Sequence, residues 1–252
     1  MPEVIASGMI EQILNPIVQV LKVILEYINH VTGNYGWALL IFAVLVKIVF
    51  YYPTKQQYQS MKKMQMIQPE VQKLQNLYKD DPQKLQSEQM ALFAKYQINP
   101  MSGCLPLLIQ MPFLWAIFTL IQSYKSVFET QTFLWIGGPL SQQFPKIVAS
   151  SLAAPDIPLL LLYGYSMYLT SKLGMVDNKG MDKNQAMMTM VMPVLFTFMM
   201  WKWAFPSGLV LYWLAFNLVS IIHQSFLMRE PIAFNERVEI IPAAQSRKKG
   251  GQ

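Results

Sequence analysis

The chain of 252 residues is 53% apolar and 13% charged, with a net charge of +6, 18 Met and a single cysteine. Ordinary soluble domains carry about a quarter charged residues, so a soluble fold of this composition would leave large apolar surfaces in water, and the composition points instead to an integral membrane protein. Cys104 alone excludes an intramolecular disulfide framework and multi-cysteine zinc patterns, and His30 and His223 leave little material for a metal site, so no cofactor or metal is expected.

Residues 1–33 place Ile10, Ile13, Leu14, Ile17, Val18, Leu21, Ile24, Leu25 and Ile28 at helical spacing, interrupted by Glu11, Gln12, Gln19, Lys22 and Glu26. This pattern predicts an amphipathic helix lying along the outer membrane surface, with an imperfect sixth span as the competing reading. A basic n-region, a small-residue cleavage site and a following cysteine are not found here, which disfavours a signal peptide or lipoprotein anchor. Residues 34–228 read as a core of five spans, at about 35–52, 104–121, 155–171, 186–202 and 208–228, each an apolar run ended by charge, Pro or Gly. The third is the weakest, being short and starting near Pro158.

Between the first two spans, residues 54–98 predict a two-helix hairpin. Met61, Met64, Ile67, Val71, Leu74 and Tyr78 recur three or four apart, the run breaks at Asp80-Asp81-Pro82, and a second helix carries Leu85, Leu92, Phe93 and Tyr96. Asp81 followed by Pro82 is a helix start signal. The hairpin reads either as a self-paired structural element or as a docking surface to which exposed methionines are suited. Residues 229–252 form a basic tail, whose Arg247-Lys248-Lys249 suits RNA or anionic lipid equally.

Fifteen Lys and Arg fall in the hairpin, the loop between spans three and four, and the tail; Lys22, Lys125, Lys146 and Lys202 fall on the other side. Basic residues stay cytoplasmic, so the expected topology is N-terminus outside and C-terminus in the cytoplasm. Tyr35 and Trp37 at the start of span one, with Trp201, Trp203 and Phe205 around Lys202, form an interfacial aromatic belt consistent with it.

The chain holds no Walker loop, Gly-x-Ser-x-Gly, His-Glu-x-x-His or intramembrane aspartate pair, and nothing resembling a DNA-binding motif. Ser207 and His223, sixteen residues apart, lack an orienting group and an oxyanion motif, so covalent catalysis is not expected. The informative polar residues are those inside the spans. Lys47 lies six residues before Pro53, about 9 Å deeper than that end of the span. It either snorkels to the interface or lines a water-filled cavity, and no acidic residue at comparable depth pairs with it. Gln110, Gln185, Asn217, Ser220 and Gln224 are further intramembrane polar groups. Spans of about sixteen residues cover about 24 Å against a hydrocarbon core near 30 Å, a mismatch that thins the bilayer and lowers the cost of moving polar chain across it.

Three strings carry a family resemblance: Tyr52-Pro53-Thr54-Lys55-Gln56-Gln57-Tyr58, the run from Asn99-Pro100-Met101-Ser102-Gly103-Cys104 to Gln110-Met111-Pro112, and Phe205-Pro206-Ser207-Gly208-Leu209-Val210-Leu211-Tyr212-Trp213. In this order they closely resemble the YidC membrane insertases, relatives of the mitochondrial and chloroplast insertases, from about Tyr35 to Met228. The resemblance implies an all-α membrane fold of five helices with a cytoplasmic hairpin and a hydrophilic groove open to cytoplasm and lipid. It implies insertion and folding of nascent membrane proteins in the plasma (inner) membrane of a bacterium, from ribosomes directly or beside the Sec translocon, with signal recognition machinery as a further partner. Lys47 matches the groove cation, commonly Arg in bacterial members, and the change to Lys removes a planar bidentate fork. Gln110 lies in the matched span-two string, and Tyr212 and Trp213 match positions along the substrate path, so the expected groove comprises Lys47, Gln110, Gln185, Tyr212, Trp213, Asn217 and Ser220. The large extracytoplasmic domain and extra first span of Gram-negative members, and the lipid-acceptor cysteine of Gram-positive ones, are not matched in this sequence. A small-solute (anion) transporter or channel using the same lysine is the alternative, weakened because no inverted repeat is visible.

Overall fold

The computed structural model describes residues 2–96, 98, 116–174 and 183–227. Among them the regular structure is helical, apart from one isolated bridge between Phe133 and Ile136. In chain order the helices are α1 (Pro2–Thr32), α2 (Tyr35–Val49), α3 (Tyr51–Leu77), α4 (Pro82–Lys95), α5 (116–123), α6 (Lys125–Phe128), α7 (Pro139–Gln143), α8 (Ile157–Gly174), α9 (Lys183–Lys202) and α10 (Ser207–Leu227).

α10 is the central element, packed against α2 on one side and α8 on the other, with α9 outside α8 and α1 outside α2. The burial of α10 follows its composition: Leu209, Val210, Leu211, Tyr212, Trp213 and Ala215 are all buried, so its first half is apolar all round. α9 is apolar all round for a different reason. It touches the bundle mainly through α8, while Met190, Val191, Val194, Leu195 and Phe198 stay exposed. A helix apolar on its exposed side belongs in lipid. Gly164 permits the close α8 and α9 approach, since a Cβ there would stand 2.9 Å from Thr197 Oγ1.

α1 seats Leu21, Leu25 and Ile28 on the bundle, a spacing of four and three that forms one helical stripe. The Tyr124 hydroxyl, beyond α5, donates to the Glu26 carboxylate, and Lys22 Nζ lies 5.4 Å from the Tyr124 ring centroid. Partial burial, then that hydrogen bond and the carboxylate charge, raise the Tyr124 phenol above its ordinary ionisation range. Gly33, at φ +70, ends α1, and Asn34 caps α2 by accepting from Gly36 N–H at 2.7 Å.

The first apolar helix ends at Phe50, before the expected end near residue 52, and the chain bends by 65° into α3. Pro53 therefore falls in the first turn of α3, where its missing N–H breaks no helical hydrogen bond. α3 and α4 form a hairpin with its own small core of Ile67, Val71, Leu92, Tyr96 and Ile98, separate from the main one. Asp81 caps α4 by accepting from Lys84 N–H at 3.0 Å, with Pro82 in its first turn.

At the opposite end, residues 129–156 cap the starts of α2, α8 and α10. Ser207 N–H donates to Ala154 C=O at 2.9 Å and Gly208 N–H to Leu152 C=O at 2.8 Å, so loop carbonyls satisfy the otherwise orphaned first donors of α10. Buried Asp156 accepts from Leu159 N–H at 2.8 Å, Ala149 N–H at 2.9 Å and Trp135 Nε1–H at 3.2 Å, joining the start of α8 to the loop.

By length and composition one described helix, Ser207–Leu227, is long and apolar enough to cross a membrane, and Tyr35–Val49 with Tyr51–Leu77 passes as a bent pair. Residues 104–115 of the expected second span and the tail 229–252 lie outside the described residues.

Candidate substrate groove

Two stripes on α10 organise the site. Tyr212 and Phe216, four apart, meet α2, and Ser220 and Gln224 continue that stripe along α10; Trp213 and Asn217 meet α8. Tyr212 is fully enclosed, with its ring centroid 6.0 Å from that of Phe42 of α2. One turn further along, Lys47 of α2 turns inward rather than outward: it is 6% exposed, with Nζ 4.7 Å from the centroid of the half-buried Phe216 ring. The bend at Phe50 changes the depth argument, because Lys47 stands in the last turn of α2, about 4.5 Å from that bend along the axis. A helix C-terminus and an aromatic face both favour a cation. Among the described residues no carboxylate forms an ion pair with it, and the surface pair Lys125 and Glu129 lies elsewhere.

The α8-facing stripe is polar at one point and aromatic at another. Asn217 Nδ2 donates to Ser166 Oγ at 3.2 Å, and Ser166 Oγ donates to Tyr163 C=O at 2.7 Å. Trp213 stacks on Tyr163 at 5.9 Å and on Phe205 at 5.9 Å, with Phe196 of α9 at 5.8 Å. Ser220 is buried and donates to Phe216 C=O at 2.7 Å. Gln224 is buried with its Oε1 unpartnered among the described residues, and His223 beside it stacks on Tyr51 at 4.7 Å and meets Tyr58 edge-on at 6.1 Å.

The structure thus places Lys47 and Tyr212 between α10 and α2, Trp213 and Asn217 between α10 and α8, and Ser220 buried one turn beyond Phe216. Gln185 lies on α9, on the far side of α8, with its side-chain surroundings outside the described part, and Gln110 lies outside the described residues altogether. Sequence reasoning missed Phe216 and Ser166, whose roles depend on which faces meet; Asp156 was detectable, because an acidic residue directly before Ile157-Pro158 is a helix-capping signal. Ser207 and His223 are no catalytic pair. Ser207 Oγ donates to Ser151 C=O at 3.1 Å at one end of α10, and His223 sits about 24 Å along the axis at the other. Among the described residues no group of three His, Cys, Asp or Glu is placed to hold a metal.

A lipid-suited helical bundle enclosing a cation between α2 and α10 defines a helical membrane protein with a polar interior site. Residues 27–234 match the family described as 60Kd inner membrane protein, and the chain belongs to this family of YidC-type proteins. It is 34% identical over 208 residues to a membrane protein insertase YidC of Endomicrobium trichonymphae, covering 82% of this chain and 38% of that protein. It is 37% identical over 206 residues to the protein of the same name from Francisella tularensis subsp. novicida, covering 82% of this chain and 34% of that one. The chain therefore spans little more than a third of the length of these relatives. A crystal structure of an active YidC insertase with its first transmembrane domain resolved superposes with a TM-score of 0.61 at 25% identity, covering 84% of this chain and 45% of that one.

Proposed function

We propose that the chain is a membrane protein insertase and chaperone that passes nascent membrane proteins into the bilayer without covalent chemistry. The observation that carries this is Lys47: a cation enclosed between α2 and α10, over an aromatic ring and unpaired with any described carboxylate, in a member of a family whose relatives are named insertases. Such a charge favours an acidic or polar guest, and the described residues of the site include no activated nucleophile. In this reading the core of residues 34–228 spans the membrane five times, at the boundaries inferred from the sequence. Residues 1–33 are extracytoplasmic, and hairpin 54–98 and tail 229–252 are cytoplasmic. Lys47, Gln110, Gln185, Tyr212, Trp213, Asn217 and Ser220 line the guest's path. Nascent chains from ribosomes, with the Sec translocon and signal recognition machinery, are the partners in a bacterial inner membrane. Reconstituted protein should insert a short single-span client into liposomes; solute flux without insertion would make the chain a transporter and overturn the proposal.

A further inference from the structure

An apolar surface that the groove does not use lies at the other end of the bundle, in the cap of residues 129–156. Cap residues outside the spans should present polar groups to water. Instead Leu134, Leu140, Phe144 and Ile147 are exposed, Leu134 at 65%. Leu134 is the second residue of a tight turn closed by Phe133 N–H to Ile136 C=O at 3.0 Å and Ile136 N–H to Phe133 C=O at 2.9 Å, and it holds φ at +54. That position favours Gly, Asn or Asp, so a large apolar residue held there in a strained backbone, facing outward, is the reverse of a water-exposed turn. α7 is reversed in the same sense: Ser141 is buried, with its Oγ donating to Gly138 C=O at 2.7 Å, while Leu140 and then Phe144 point away.

These side chains are not loosely hung. Asp156 anchors Trp135 and Ala149, Asn34 Nδ2 donates to Thr132 C=O at 3.0 Å, and Trp37 packs edge-on to Phe133 at 5.3 Å, so the cap is tied to α2 and α8. Between α7 and the start of α8 lies a cleft of about 480 Å³, walled by Trp135, Leu140, Val148, Leu161 and Tyr165. Its α8 wall runs on into the exposed face of that helix, where Leu161 is 64% exposed. Gln142, Gln143 and Lys146, also exposed, supply polar and cationic groups beside the apolar ones.

We propose that the turn at 133–136 and α7 form an in-plane membrane anchor, immersed in the leaflet at this end, with a phospholipid acyl chain lying in the cleft between α7 and α8. Lipid is the occupant because the apolar cap surface is continuous with the apolar outer face of α8, and because exposed Lys146 in the same cap supplies a cation for a lipid phosphate. One consequence concerns length: α8, with 18 residues, covers about 27 Å, and an immersed cap extends the apolar belt at this edge beyond the helix itself. The inference needs the chain in a bilayer but does not depend on the insertase reading.

The test places single nitroxide labels in the full chain, in a Cys104→Ser background, reconstituted in phosphatidylethanolamine and phosphatidylglycerol vesicles. Leu134→Cys, Leu140→Cys and Phe144→Cys should show oxygen collision rates several-fold above those of a water-soluble nickel chelate, as at Leu161→Cys. Equal or higher nickel accessibility would place the cap in water and overturn the proposal. Low accessibility to both, with spin–spin broadening, would seat a second copy there and equally overturn it. The unlabelled chain gives an independent measurement, since a phospholipid with a photoreactive acyl chain should crosslink to residues 133–148. Crosslinks confined to α9 would refute the anchor. Insertion activity is read separately: lipid-like accessibility without client insertion would refute the proposed function and leave the anchor standing.

Discussion

Replacing Lys47 by Leu separates stability from function. A cation at a span centre costs about 2.5–3.5 kcal/mol on insertion scales, an upper bound for Lys47 in the last turn of α2, against a small gain for Leu. Lys47 recovers part of that cost, because its Nζ lies 4.7 Å from the Phe216 centroid and in the last turn of α2. The ring contributes roughly 0.5–2 kcal/mol and the helix terminus about 0.3–1 kcal/mol. Lys47→Leu should therefore stabilise the fold by at most about 2 kcal/mol, seen as a higher melting temperature in detergent. The guest should respond in the opposite direction. At an effective dielectric near 20, a carboxylate about 7 Å from the cation gains roughly 2 kcal/mol, and partial hydration reduces this to about tenfold or less in insertion efficiency. Proteoliposome insertion at matched protein abundance, comparing a client with an acidic translocated tail to one with a neutral tail, is the assay. Lys47→Leu should lose acidic-tail insertion by up to about tenfold and spare the neutral client, Lys47→Arg should retain both, and Lys47→Glu should be worst for the acidic tail. Equal insertion of both clients by Lys47→Leu and wild type would refute the electrostatic groove and leave shape and membrane thinning as the mechanism.

Deleting Val71–Lys95 should leave the melting temperature of the main core unchanged while lowering client insertion, because the hairpin buries its own cluster around Ile67 and Leu92; aggregation in detergent would show the hairpin to be structural. Asp156→Ala should orphan the Trp135 indole and two buried backbone donors and destabilise by about 3–5 kcal/mol, measured as lost thermal stability and reduced amide protection across residues 129–160. Tyr124→Phe should release α1, detected as faster proteolysis of α1 with the core intact. Because folding raises the Tyr124 phenol's ionisation range, the contact's stabilisation should be fully present below about pH 10, the unfolded value, and be lost as pH rises through the folded one. Wild type and Tyr124→Phe should therefore converge in strongly alkaline buffer and differ constantly between about pH 6 and 9.

Low charge and long apolar runs marked a helical membrane protein, and three short strings pointed to its family, because helix periodicity and local turn chemistry are written in neighbouring residues. The Asp81-Pro82 start of α4 and the hairpin seam were readable for the same reason: each depends on residues within a few turns of one another. Lys47 was visible as an anomalous charge in an apolar run, yet its environment was not. The break of α2 at Phe50, rather than beside Pro53, brought Lys47 near a helix terminus, and a bend is set by what both helices pack against. Phe216 beneath the cation, Ser166 as the partner of Asn217 and the Tyr51 stack on His223 join residues from 51 to 172 positions apart, a distance over which sequence pattern carries no information. The outward Leu134 and Phe144 are the same lesson on the surface: composition counted them as apolar, and only the tertiary placement of the cap decided that they face away from the core, because Asp156 and the starts of α2 and α10 lock the loop in that orientation.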